Sequence, residues 1–185
     1  NYREKRAKQE GQRLPPIQDP ALLIELTYGV SSLAALTGIE MPYLYQLVTQ
    51  PEAAILEYKG VGLVPMDYEN VRMLSVDLLQ RYIRQQRAEH SLTVVDCLWP
   101  HGLANALAEQ VDLWIIVASG RPDTIANGRK LYEQLDADFH DKVWMLLNQS
   151  SEAAAAKDVE DLNWDIKLPR VARPDDYRGE LGRHV

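Results

Sequence analysis

At 185 residues, with 46% apolar and 25% charged side chains, the chain is of single-domain size and has the composition of a globular protein able to bury a core. Its formal charge of −7 argues against broad attachment to nucleic acid, and its lone cysteine, Cys97, excludes an intramolecular disulfide framework. No apolar run approaches the ~18 residues that span a bilayer, and no secretory signal opens the chain, so a cytoplasmic protein is expected. The basic opening, Arg3, Lys5, Arg6, Lys8 and Arg13, leaves peripheral contact with a partner or an anionic surface open. A chain that opens on Asn1 rather than Met also admits a longer natural protein.

Residues 1–12 are charged and compatible with a helix, and Leu14-Pro15-Pro16-Ile17-Gln18-Asp19-Pro20 ends any helix, because proline lacks the donor and restricts the residue before it. Residues 1–20 therefore read as a helix end and a Pro-rich linker, and residues 21–185 as one α/β domain. Leu22 to Thr27 reads as a buried strand ending in polar residues, followed by a turn at Gly29. Ser31 or Ser32 caps a short helix from Leu33 to Leu36 that Gly38 ends. Met41 to Tyr58, interrupted by Pro42 and Pro51, reads as irregular helix. Val61 to Pro65 is a second strand. Asp67 and Asn70 introduce a helix from Val71 to about Arg87, on which Val71, Leu74, Leu78, Leu79 and Tyr82 form one apolar stripe.

The second half alternates more regularly. Strand 92–97 leads to helix 103–109, strand 112–118 to helix 122–135, strand 143–148 to a helix near 152–160, and Ile166 to Pro169 is a last strand. This alternation implies right-handed crossovers and a three-layer, doubly wound, mostly parallel sheet with helices on both faces. Ligands of open α/β sheets bind at the carboxyl ends of the strands, which is where Asp96 falls. A carboxylate there can hold a water on Mg²⁺ beside a nucleotide phosphate, and it can equally be a turn residue after a buried strand.

In this order the segments resemble the MinD/ParA family of P-loop ATPases, which includes the TadZ/CpaE-like pilus-assembly localisation proteins. Leu23-Ile24-Glu25-Leu26-Thr27 with Leu33-Ala34-Ala35-Leu36-Thr37-Gly38 resembles the family's second strand and the leucine-rich helix after it. Val94-Val95-Asp96 with Pro100 and Gly102 is similar to its Walker B strand and switch II. Gln110 to Val117, then Pro122-Asp123-Thr124-Ile125, is similar to the next strand and helix, Leu146-Leu147-Asn148 to the segment whose amide reads adenine, and Leu168-Pro169 through Gly182 to Val185 to the closing segment.

The resemblance implies a P-loop NTPase-like fold that binds ATP and Mg²⁺, with Asp96, Asn148, Pro169, Glu25 and Thr27 toward the nucleotide and Asp96 toward Mg²⁺ through a water. It implies a spatial organiser of a bacterial cell-envelope, pilus or partition system, a homodimer closing through the nucleotide face, and a protein partner. On this alignment Glu25, Thr27 and Asp96 surround one crevice with Asn148 at its rim. Two departures stand out. No Gly-rich, lysine-bearing phosphate loop occurs in these 185 residues, so the fold reads as incomplete at its N-terminus unless the loop lies upstream of Asn1. Thr27 stands where hydrolysing members carry an aspartate. ATPase activity is therefore expected only with a phosphate loop upstream, no residue is assigned as catalytic, and the alternative is a pseudo-ATPase scaffold that binds partner proteins.

Other chemistry-bearing residues read as structural. Asn148 offers a donor and an acceptor to a base edge, although a strand-end Asn also serves local turns. His101 reads as a loop histidine and Cys97 as a small core residue without a catalytic partner. Trp114, Trp144 and Trp164 read as core, and Trp99 as a loop aromatic able to anchor a partner.

Overall fold

The computed structural model describes residues 21–27, 29–39, 41–50, 52–67, 70–98, 103, 106–135, 137–150 and 164–169. The described residues fall into two compact units, divided between Gln110 and Val111. The expected helix near 152–160, the basic opening and the closing segment from residue 170 onward lie outside the described residues.

The first unit is built on a four-stranded sheet of order β2-β3-β1-β4, made of β1 (Ala21–Leu26), β2 (Leu56–Tyr58), β3 (Val61–Val64) and β4 (Thr93–Cys97). β1 runs parallel to both β3 and β4. Leu22, Ile24 and Leu26 on β1 are fully buried, as expected of an apolar strand with neighbours on both edges. α1 (Ser32–Thr37) follows β1. Its N-cap is Ser31, whose hydroxyl accepts from the Ala34 N–H at 3.0 Å, and it ends at Gly38, in the left-handed region with φ 74°.

Two expectations are corrected in this unit. The irregular helix expected over Met41 to Tyr58 is helical at α2 (Leu44–Thr49) but ends in a strand, β2, which pairs antiparallel with β3. The hairpin turns on Lys59 and Gly60, both with positive φ, the geometry that suits the twist of a two-residue loop. The helix expected from Val71 divides into a 3₁₀ turn, Val71–Met73, and α3 (Val76–Glu89). Ser75 makes the division, its hydroxyl accepting from the Leu78 N–H at 3.3 Å. The expected stripe still packs inward, with Leu74, Leu79 and Tyr82 buried. Of the helix expected at 103–109, the structure describes a 3₁₀ turn at Ala108–Gln110.

The second unit carries a three-stranded parallel sheet of order β5-β6-β7, from β5 (Trp114–Ser119), β6 (Val143–Ser150) and β7 (Ile166–Pro169). Its helix, α4 (Pro122–Gln134), opens with proline at the first turn, where the missing N–H costs nothing. Ile116, Val143 and Met145 form a core with Trp114, Leu131, Tyr132, Leu135 and Trp164 packed on it. His140 closes the far end of α4, its Nε2 lying 3.1 Å from the carbonyls of Tyr132 and Leu135 while its ring stacks on Tyr132.

Trp144 corrects the reading of the tryptophans. It is 42% exposed, and its register partner Ile115 is exposed too, because both alternate away from the sheet face that holds Ile116 and Met145. The expectation of strands buried on both faces holds for β1 and fails for β4 and β5 among the described residues: Val94 and Val117 are exposed. Among the described residues each of these two strands has a ladder on one edge.

Candidate functional site: two strand ends

At the carboxyl end of the first sheet, Glu25 and Asp96 are register partners on parallel strands, so their side chains leave the same face. Their environments differ. Glu25 is fully buried. Its Oε1 accepts the Ser32 N–H at 2.7 Å, and its Oε2 accepts the Met66 N–H at 3.3 Å and a short hydrogen bond from the Ser31 hydroxyl. The carboxylate thus ties the end of β1 to the start of α1 and to the chain leaving β3. It sits at a helix N-terminus, where negative charge is favoured, and it satisfies backbone donors that a buried turn would otherwise orphan.

Asp96 is exposed. Partial desolvation, with the negative charge of Glu25 second, raises its pKa above the ordinary carboxylate value. Burial, with Asp96 second, pushes the neighbouring Cys97 thiol up to about 12, which keeps it protonated and fits the reading of Cys97 as a packing residue. Thr27 follows β1 directly and is half-buried. The ladder continues past Asp96, with the Leu98 N–H donating to the Leu26 carbonyl at 3.2 Å. Trp99, Pro100, His101 and Gly102 lie outside the described residues.

At the carboxyl end of the second sheet, Asn148 on β6 is the register partner of Ser119, the last residue of β5, and Pro169 ends β7 opposite Ser150. The sheet therefore brings Asn148 and Pro169 to one end. Asn148 Oδ1 is enclosed and has no hydrogen-bond partner. Beside it in sequence register is a feature the sequence reading missed. The Ser119 and Thr124 hydroxyls lie 2.9 Å apart, and Thr124 Oγ1 donates to the Ser119 or Arg121 carbonyl at 2.8 or 3.0 Å, closing the β5–α4 turn. The signal was a polar Ser-Gly ending an apolar run two residues before a helix-initiating proline. Among the described residues no group of three or more His, Cys, Asp or Glu side chains is placed to hold a metal ion, and no helix is long and apolar enough to cross a membrane.

Compared by sequence with protein-family models and with curated proteins, the chain matches none. Compared by structure, it is similar to a ParA family ATPase from Chlorobium tepidum, at TM-score 0.71 and 13% identity over 92% of this chain and 78% of that one. A chain of the Aquifex aeolicus MinC:MinD cell division protein complex gives TM-score 0.66 and 14% identity over 88% of this chain and 74% of that one. MinD from Pyrococcus horikoshii, in complex with Mg-ADP, gives 0.60 and 16% over 90% and 74%. The chain has the MinD/ParA fold. In this MinD/ParA-like, P-loop NTPase-like architecture Glu25 lies on β1, Asp96 on β4, Asn148 on β6 and Pro169 on β7, strands that the sequence pattern predicts. Identities this low speak for the fold and leave the chemistry to the residues.

Proposed function

We propose that this chain is the α/β body of a MinD/ParA-type spatial organiser, an ATP-dependent or ATPase-derived localisation switch of a bacterial cell-envelope, pilus or partition system. In this reading it dimerises through its nucleotide face and acts on a protein partner. The observation that carries the reading is Asn148 Oδ1, an enclosed acceptor without a donor at the carboxyl end of a parallel sheet. Adenine's exocyclic amine is a donor suited to it, and strand ends of this kind are where open α/β sheets hold ligands. Asp96 adds an exposed carboxylate of the type that holds a water on Mg²⁺.

In this reading Asn148 is suited to the base and Asp96 to the metal. They do not supply the phosphate grip, because no Gly-rich, lysine-bearing loop occurs in the 185 residues. ATP would bring its own charge and its Mg²⁺, and the chain's part is to place a donor-hungry amide and a carboxylate. Without a cationic or N–H-rich cradle, Asp96 repels the triphosphate: at an effective dielectric of ~20, two unit charges ~4 Å apart repel by about 4 kcal/mol, on the order of a thousandfold in affinity.

The second reading, a pseudo-ATPase scaffold that works by binding partner proteins, is favoured by Glu25. Both of its oxygens are committed to the protein's own donors, and Thr27 offers a hydroxyl where a hydrolysing relative would offer a base. Isothermal titration of the 185-residue chain with ATP and Mg²⁺ tests the account. Binding too weak for a low-micromolar constant, and no turnover, is expected. A low-micromolar constant that survives both Asp96→Ala and Asn148→Ala would show that neither residue has its proposed role.

A further inference from the structure

A half-open groove of about 510 Å³ runs between α2 and α3 in the first unit, well within the size of small ligand sites. Leu47 and Val48 of α2, Ile55 ahead of β2 and Leu78 of α3 give it apolar walls. Tyr82 and Gln86, one turn apart on α3, also line it. They are 8% and 3% exposed, yet the Tyr82 hydroxyl and Gln86 Oε1 have no hydrogen-bond partner. A buried polar atom left unmatched costs about 1–3 kcal/mol, so two such atoms one helical turn apart in the same groove call for an external partner.

Several of the groove's other polar groups are engaged within α3. Gln85 Nε2 and Gln86 Nε2 donate to the two oxygens of Glu89 at 2.9 and 3.4 Å, and Arg81 Nε donates to the Asp77 carbonyl at 3.4 Å. Burial, with Glu89 second, raises the Tyr82 pKa, so its hydroxyl keeps its proton and can donate. The groove's buried polar atoms without a partner are the Tyr82 hydroxyl, a donor, and Gln86 Oε1, an acceptor. The terminal torsion of a glutamine is broad, so its amide can turn toward an incoming donor at little cost.

We propose that this groove binds an extended peptide, whose backbone donates an N–H to Gln86 Oε1 and accepts the Tyr82 O–H while an apolar side chain lies against Leu47, Ile55 and Leu78. A hydrocarbon would leave both polar atoms unmatched, and an anion, an acceptor only, would leave Gln86 Oε1 without a donor. A peptide group is neutral and supplies one donor and one acceptor, and peptide docking between helices uses apolar anchors of this kind. None of the groove residues belongs to either strand end, so the inference is independent of the nucleotide reading.

The test uses isotope-labelled protein and three probes: isocaproic acid N-methylamide, which has a leucine-like tail and one peptide-like group, its methyl ester, which keeps the shape and lacks the N–H, and the blocked dipeptide N-acetyl-Leu-Ala-N-methylamide. The amide is expected to shift the Leu47, Val48, Ile55 and Gln86 signals saturably, the ester to bind about tenfold more weakly, roughly one hydrogen bond's worth, and the dipeptide to bind more tightly than the single amide. Tyr82→Phe should leave the thermal midpoint no lower, because it deletes an unmatched hydroxyl, while weakening the amide several-fold. Gln86→Leu should bring the amide down to the ester's affinity. No saturable shift, equal binding of amide and ester, a dipeptide no tighter than the amide, or undiminished binding by Tyr82→Phe would overturn the proposal, and Tyr82→Phe decides alone if Gln86→Leu does not fold.

Discussion

β1 and β4 lie side by side, in register, with similar apolar sequences and a carboxylate at matching positions, yet they have opposite fates. Leu22, Ile24 and Leu26 of β1 are 0% exposed, whereas their register partners Thr93, Val95 and Cys97 on β4 are half-buried, and on the opposite face Leu23 is half-buried while its partner Val94 is 44% exposed. The difference follows from position: among the described residues β1 has a ladder on both edges and β4 on one. The carboxylates follow their strands. Glu25 is drawn into the interior and survives there because hydroxyl and backbone donors converge on it, while Asp96 stays at the surface, available to a ligand. Two acidic residues that look alike in sequence are thus one piece of architecture and one piece of candidate chemistry.

The largest effect expected from breaking this pair is at Glu25. Glu25→Ala removes the acceptor of the Ser31 hydroxyl and of the Ser32 and Met66 N–H groups and leaves a hole, so a loss of roughly 3–5 kcal/mol in chemical denaturation is expected. Glu25→Gln keeps the volume and one acceptor oxygen but turns an amide N–H₂ toward donors, and should cost about 1–3 kcal/mol. A Glu25→Ala chain as stable as the wild type would remove the architectural role.

Asp96 should behave in the opposite sense. Its pKa is raised in the folded protein, so the ionised form is the disfavoured one. The resulting cost is fully present above the folded pKa, shrinks as the pH falls through it, and is gone below the unfolded value near 3.8. Asp96→Asn is therefore expected to be slightly more stable than the wild type at neutral pH, on the order of 0.5 kcal/mol given the exposure of the group, with the gain vanishing in acid. Stability curves for the two proteins between neutral and acid pH check the sign, and a destabilised Asp96→Asn at neutral pH would contradict it.

Much of this contrast was legible in the residues, and the rest was hidden for identifiable reasons. The β1–α1 unit could be read because its signals are local: an apolar run, a Ser cap and a Gly in the left-handed region. The parallel strand–helix order could be read from the alternation of apolar runs with helical stretches. The β2–β3 hairpin could not, since β2 is a three-residue, exposed strand with no apolar alternation to announce it. The burial of Glu25 could not be read either, because one of its donors, Met66, arrives from 41 residues away. That β4 pairs with one strand among the described residues was invisible for the same kind of reason: a strand's sequence records the faces it was built to bury, and its partners are set by topology.

The account's central claim, that Glu25 is architecture and Asp96 is free, is tested most directly by native-state hydrogen exchange at the Ser32 and Met66 amides. Both donate to the buried Glu25 carboxylate, so both should be protected to a degree comparable with the β1 amides, and equally so in Asp96→Asn. Exchange of either amide at the rate of an open loop in the wild-type protein, or a marked loss of its protection in Asp96→Asn, would contradict the claim.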